Sequence, residues 1–412
     1  MRCLVVLIGL IATPVFADDW PQWLGARRDG GTSEKIAPWK EAPKVLWRQP
    51  VGEAYSSPVV SNGRVFVHTR VKDKDEEEVV CYDAKDGKQL WRDAYPRAVY
   101  RSAVGTGPRA TPTVSGKRLY TFGITGVLSC YAVEDGKRLW QVDAYKKLDA
   151  NLPTFGVCCS PLVVGDLVIV SVGGKGKCVV AFDTASGEVR WQTLDDGASS
   201  SSPILFNGVK REGALPDVVF MTPLRLIGLD PLDGTMRWEF PIVFQPAGTS
   251  PTPMILGDQI IASTISTGAV GIKFNLGDDE KVTTKELWRD KELSAYFSSG
   301  VAVGKSRALL ITNVLDPIPN ATLRCVDPSS GKEIWKKSGI GYFHAGLIRM
   351  GDGRLLILDD SGTLKLVEGE SSEYRELSKA KICRGTLINP AFANGHLYAR
   401  DDRELVCVPL VP

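Results

Sequence analysis

The sequence predicts an all-β fold, an eight-bladed β-propeller of four-stranded antiparallel blades whose last blade is closed by an N-terminal strand. Three observations carry this. A turn residue, a glycine and a tryptophan recur at fixed spacing: Asp83-x3-Gly87-x3-Trp91, Ala132-x3-Gly136-x3-Trp140, Asp183-x3-Gly187-x3-Trp191, Asp230-x3-Gly234-x3-Trp238 and Asp327-x3-Gly331-x3-Trp335. A second mark, a small or hydroxyl residue before proline or glycine, returns about every 47 residues, which is the length of four short strands with their turns. No long run carries the apolar period of a helix.

Each unit opens at the second mark: Ser57-Pro58, Thr111-Pro112, Ser160-Pro161, Ser202-Pro203, Thr252-Pro253, Ser299-Gly300, Ala345-Gly346 and Asn389-Pro390. In the first unit Pro58-Val59-Val60 is the innermost strand, and Asn62-Gly63 supplies the positive φ angles of a two-residue hairpin. Val65-Phe66-Val67 is the second strand, Val79-Val80-Cys81-Tyr82 the third, and Gln89-Leu90-Trp91 the fourth. Asp83 bonds its own turn, and Gly87 takes the positive φ that a bulged hairpin needs. Trp47 and Trp288 end apolar runs without the glycine. The last unit, with strands near residues 390–392, 396–400 and 404–408, is one strand short, whereas residues 45–47 form an orphan strand. Pairing orphan with gap closes the ring and removes two exposed sheet edges.

Residues 45–412 therefore read as one domain without a linker. Residues 1–17 read as a signal peptide: Arg2 is the basic start, an apolar core follows, and Val15-Phe16-Ala17 is a small-residue cleavage site. Residues 18–44 are expected as an N-terminal surface segment. The protein is then exported, periplasmic or extracellular, and no stretch reaches the roughly 18 apolar residues of a membrane span. Fifty basic against 48 acidic side chains give +2, which excludes a nucleic-acid surface. The charge run Lys72 to Glu78 is expected at a solvated hairpin tip. Nine cysteines in an exported chain would suggest disulfides. The repeat suggests otherwise, because Cys81, Cys130, Cys325 and Cys407 share a third-strand position with Ala181 and Gly228. Small buried residues at a tight contact between blades account for all six.

The copy Ala181-Phe182-Asp183-Thr184-Ala185-Ser186-Gly187 through Trp191 resembles the blade motif Ala-x-Asp-x-x-Thr-Gly-x-x-x-Trp of the pyrroloquinoline-quinone (PQQ)-like propeller family. That family spans quinoprotein alcohol dehydrogenases and the outer-membrane assembly lipoprotein BamB. The resemblance implies that Trp47, Trp91, Trp140, Trp191, Trp238, Trp288 and Trp335 dock against neighbouring blades, with Leu377 taking the place in blade 7. A narrower resemblance, to exported PQQ-like propellers of planctomycete-type bacteria, rests on Trp20-Pro21-Gln22-Trp23, Arg28-Asp29-Gly30, Gly107-Pro108-Arg109-Ala110-Thr111-Pro112 and the stretch from Asn394 to Arg400. Leu24 departs from it, standing where arginine or an aromatic neighbour is common.

Within that family a dehydrogenase needs calcium beside the quinone and an aspartate base in the funnel. Calcium wants several converging oxygen ligands. The leading residues of the inner strands include Ser57, Arg109, Thr111, Cys158, Cys159, Ser160, Ser202, Thr252, Ser299, His344 and Asn389, with Thr249 and Ser250 beside them, and none is a carboxylate. These are the expected funnel-lining residues. Against this stands Cys158-Cys159, since the family's dehydrogenases cover one face of PQQ with an adjacent-cysteine disulfide. Adjacent α-carbons lie about 3.8 Å apart, below the usual disulfide range. On an extended strand the two thiols face opposite ways and stay separate, which is the simpler arrangement. Gly304-Lys305-Ser306 lacks the first glycine and the helix of a phosphate loop. His68, His344 and His396 show no metal spacing. Arg109 and His344 face the funnel, where an arginine can bind carboxylate or phosphate bidentately.

The sequence thus predicts a monomeric, non-catalytic scaffold without catalytic residues, metal or cofactor. A protein partner or a small anionic ligand is expected at the propeller mouth. The alternative is a PQQ-dependent alcohol or sugar dehydrogenase with PQQ and calcium in the funnel.

Overall fold

Four strands in sequence order make each of seven blades, and the eighth is completed from the other side of the chain. The computed structural model describes residues 19–410 apart from 210–212, 214, 244–250, 280 and 314–319. The expected signal peptide, Thr249 and Ser250 lie outside the described residues. Blade 1 comprises Val59–Ser61, Arg64–Arg70, Glu76–Asp83 and Gln89–Pro96. Its first hairpin turns at Asn62 and Gly63, with φ of 51° and 71°. Blade 8 comprises Ala391–Ala393, His396–Arg400 and Glu404–Pro409, and Trp47–Pro50 pairs antiparallel with the last of these, Trp47 opposite Cys407. The ring closes as the strand count requires. The one helix among the described residues is the single turn Ala144–Lys147.

Strand pairing explains the small third-strand residues. Cys81 lies opposite Trp91, Cys130 opposite Trp140, Ala181 opposite Trp191, Gly228 opposite Trp238, Gly271 opposite Trp288 and Cys325 opposite Trp335. A Cβ on Gly228 would lie 2.0 Å from the Trp238 ring. The crowding comes from the tryptophan of the same blade, which corrects the expectation of a contact between blades. The cysteines there are free and buried, as small hydrophobes. In blade 7 the same register pairs Leu366 with Ser378, so Ser378, and not Leu377, stands where the tryptophan would be. The Ser378 hydroxyl donates to the Trp39 carbonyl at 2.8 Å.

Six tryptophans reach the following blade. The indole N–H groups of Trp47, Trp91, Trp140, Trp191, Trp288 and Trp335 donate to the carbonyls of Ala84, Val133, Thr184, Pro231, Pro328 and Ser371 at 2.7–3.0 Å. For all of these but Trp335, the turn glycine of that next blade lies under the indole. Gly87 has φ of 74°, and a Cβ there would sit 2.7 Å from Trp47. The recurring glycine therefore serves a turn and a close approach at once.

Within the segment 18–44 expected at the surface, residues 19–44 take another place. Trp20 forms an antiparallel bridge with Val60 of blade 1, and the Pro21 carbonyl accepts from Val114 of blade 2. Arg28, 3% exposed, lies among the inner strands of blades 2 to 4. Its guanidinium donates to the carbonyls of Pro161 and Pro203 and to the Thr113 hydroxyl, while its Nε donates to Gln22 Oε1 at 2.8 Å. Asp29 pairs with Arg349 of blade 7 at 3.0 Å. Gly30, φ 68°, passes Val301 so closely that a Cβ would lie 2.6 Å from it. The segment is a strap across the ring that continues over blade 7, where the carbonyls of Ile36 and Trp39 accept from Arg354 and Ser378, before Trp47 enters the outer strand of blade 8.

A candidate ligand cup at the propeller mouth

The inner strands are stitched to one another at their leading ends. The Ser57 amide donates to Thr111 Oγ1 (3.1 Å), the Thr111 amide to Ser160 Oγ (2.9 Å), and the Ser160 amide to Ser202 Oγ (3.0 Å). Across the ring the Thr252 amide donates to Ser299 Oγ at 2.9 Å and the Ala345 amide to Ser298 Oγ at 3.2 Å. The hydroxyls of Thr111, Ser160, Ser202 and Ser299 each satisfy a buried backbone donor of the preceding blade, whereas Ser298 serves one of the following blade. The repeated Ser/Thr before proline is thus a fastening.

Above these stitches a cavity of about 470 Å³ opens. Of the residues expected to line the funnel, the structure brings Arg109, Cys158, Ser160, Ser202, His344 and Asn389 to its wall. Ser57, Thr111, Cys159, Thr252 and Ser299 are buried and do not line it. The sequence reading missed the apolar half of the wall: Trp23, Tyr55, Phe155, Tyr296, Phe297 and Leu387. Trp23 belongs to the strap and donates its indole N–H to Thr252 Oγ1 at 2.8 Å, which places its ring across the axis. Trp20-Pro21-Gln22-Trp23 was visible as a motif, but nothing periodic marked where it would go.

Arg109 lies over the Tyr55 ring, 4.9 Å from its centroid, and one guanidinium nitrogen donates to the carbonyls of Val104 and Gly105. It makes no ion pair among the described residues, and its buried Nε has no partner. His344 is 2% exposed. Its Nδ1 lies 2.9 Å from Ser298 Oγ, which also accepts the Ala345 amide. Its buried Nε2 has no partner among the described residues. Burial pulls the His344 pKa down to about 4, against the opposing pull of Asp360, so the ring is neutral at pH 7. Asp360 itself accepts the amides of Tyr342, Phe343 and His344 and fixes that loop.

Cys158 and Cys159 are free thiols. Burial pushes the Cys159 thiol up to about 12, which leaves it unreactive at neutral pH. Arg28, directly below, is lowered by burial to about 9 and still carries its charge. No carboxylate lines the cup among the described residues, and no group of three or more His, Cys, Asp or Glu there could hold a metal.

Part of the run Lys72 to Glu78 departs from the solvated hairpin tip expected for it, with Glu77 buried against His68. His68 is fully buried, with Nε2 2.8 Å from Tyr95 Oη and 3.3 Å from Glu77 Oε2. Burial raises the Glu77 pKa, but hydrogen bonds from His68, Tyr95 and the Ile124 amide outweigh it and hold the carboxyl below its usual range. The second half of the run opens the third strand of blade 1, so only its first half forms the tip.

An eight-bladed repeat propeller with its axis crossed by a strap and a carboxylate-free cup at its mouth belongs among the PQQ-like repeat propellers. The family profile described as outer membrane protein assembly factor BamB matches residues 30–106 and 75–337. The chain belongs to this family. BamB of Yersinia pestis is 21% identical over 323 residues, 74% of this chain and 76% of that protein. BamB of Shewanella oneidensis is 23% identical over 315 residues, 72% and 71% respectively. Among solved structures, BamB from Moraxella catarrhalis superposes with a TM-score of 0.61 at 14% identity, covering 90% of this chain and 98% of that one. Quinohemoprotein alcohol dehydrogenase from Comamonas testosteroni gives 0.61 at 12% identity, covering 96% and 81%. Both superpositions speak to the fold alone. No helix among the described residues is long and apolar enough to cross a membrane.

Proposed function

We propose that this protein is an exported, non-catalytic recognition scaffold that holds a partner by an anionic group in the mouth cup. The observation that carries it is Arg109, whose guanidinium faces an aromatic-walled cavity without a carboxylate among the described lining residues. An arginine so placed prefers carboxylate or phosphate. The relatives' name, assembly factor, supports a protein as the partner. Loops on a rigid ring suit that role.

The dehydrogenase reading draws on the Cys158-Cys159 pair, of which Cys158 lines the cup. The cup fits calcium poorly: its polar groups are a guanidinium, a neutral imidazole, an amide, a thiol and hydroxyls. Incubation with PQQ and calcium tests both readings. We expect no bound chromophore and no dye reduction with alcohols or sugars, and a turnover signal overturns the scaffold reading. We also expect carboxylates such as phenylacetate to protect the protein against heat, and Arg109→Ala to weaken that binding by about 1.5–3 kcal/mol, the range for a charge-assisted hydrogen bond.

A further inference from the structure

Beside the cup, and sharing Tyr55 and Leu387 with it, lies a second cavity of about 440 Å³ with the opposite charge. Four carboxylates line it, from Glu53, Asp360, Asp401 and Asp402. Two are already occupied. Asp360 accepts the three amides of its loop, and Glu53 accepts the Thr106 amide and hydroxyl and lies 3.5 Å from Arg70. The other two are different. Asp401 gives Oδ1 to the amides of Arg403 and Glu404, but its Oδ2 has no partner although the residue is only 1% exposed. The buried Arg400 next to it donates to the Gly52 carbonyl and the Asp401 carbonyl instead of to that carboxylate. Asp402 meets only the edge of Arg403, at 3.9 Å.

A buried carboxylate oxygen without a donor is costly unless something supplies one. A metal is a poor occupant, since no group of three or more metal-capable side chains forms among the described residues. Tyr55, Tyr342 and Phe343 add aromatic faces to the wall, with Tyr342 62% exposed. Carboxylates beside aromatic faces suit a guanidinium, which takes hydrogen bonds in its plane and stacks through its face.

We propose that this groove binds an arginine side chain of a partner peptide, and that the same peptide places a carboxylate in the adjoining cup. The groove assignment stands on the groove's own residues, whereas the placement of the carboxylate rests on the function proposed above. Because the two cavities share Tyr55 and Leu387, one short segment spans both.

The test is calorimetric titration of the full chain with acetyl-arginyl-glycyl-phenylalanine, its citrulline analogue and its C-terminal amide. Citrulline keeps the shape and removes the charge. We expect it to bind about tenfold more weakly or worse, a difference of the size that a desolvated cation on aromatic and carboxylate groups provides. Asp402→Asn and Asp401→Asn should each shrink the preference for arginine over citrulline, with melting curves checking that both variants fold. Equal binding of the arginine and citrulline peptides overturns the groove, as does no binding of the arginine peptide at millimolar concentration. The amide reports on the cup alone. If the amide loses affinity while citrulline does not, the cup survives and the groove falls; the converse keeps the groove and removes the cup.

Discussion

The Trp238 indole donates to Asp217 Oδ2 of its own blade at 2.6 Å, whereas its six counterparts donate to a backbone carbonyl of the next blade. The cause lies in blade 5. Its outer hairpin, Gly268–Leu276 with Val282–Asp290, is long and lacks the Asp-x3-Gly turn whose second residue offers the carbonyl to Trp47, Trp140, Trp191 and Trp288. Trp238 packs instead on Phe274 of that hairpin, ring centroids 4.6 Å apart.

Trp238→Phe should therefore cost more than Trp191→Phe. The first gives up a hydrogen bond to a buried carboxylate, about 1.5–3 kcal/mol, and the second gives up one to a backbone carbonyl, about 1 kcal/mol. Urea unfolding of the two variants decides it. Equal losses would mean that the Asp217 contact carries no special weight.

Arg28→Met should destabilise the ring by about 3–5 kcal/mol, because it strips donors from the carbonyls of Pro161 and Pro203 at a site closed to water. Removing residues 18–31 should then be about as damaging as removing 45–50, although a surface cover would come off cheaply. Thermal melts of both truncations check this. A strap deletion that melts like the intact protein would show that Arg28 fills the axis without supporting it.

His344 sets a pH window. Its folded pKa is lowered to about 4 while the unfolded value is 6.5, so between these the unfolded chain binds the extra proton. Stability contributed by the neutral ring is full above about pH 6.5 and declines as pH falls towards 4, by about 3 kcal/mol in all. His344→Gln should flatten the stability curve across that window while leaving the acid limb below it, where carboxylates such as Glu77 titrate. An unchanged slope would assign the dependence to other groups.

The fold was legible because repetition makes each blade a witness for the others. The Asn-Gly turn, the glycine under the tryptophan and the missing strand each have local causes that sequence spacing exposes. Trp238 read like the rest because its departure depends on the hairpin of another blade. His68 alternates like an exposed strand residue, and nothing near it in sequence foretells Glu77 and Tyr95 closing over it. At the mouth, Arg109 and His344 stood out by residue type at a repeated position. The aromatic wall did not, because Trp23, Tyr296 and Phe297 sit in segments without a period. Arg28 is the sharpest case: a charged residue in a non-repetitive stretch reads as surface, and only the assembled ring offers it carbonyls from two blades.

The seam joins residue 47 to residue 407, and the strap ties residue 20 to 60 and residue 29 to 349. Contacts so far apart in sequence carry a large loop-closure entropy before they return any energy, which makes sealing the ring a slow event. Blades 1 to 7 can assemble progressively from near neighbours, but the circle stays open until the eighth blade meets Trp47. Until then one sheet edge remains unpaired and sticky. Once it is sealed, unfolding must break the seam and withdraw a buried guanidinium from the axis together. The molecule's persistence is then governed by a rate, and a chain that opens rarely is protected from proteolysis for as long as that rate is slow.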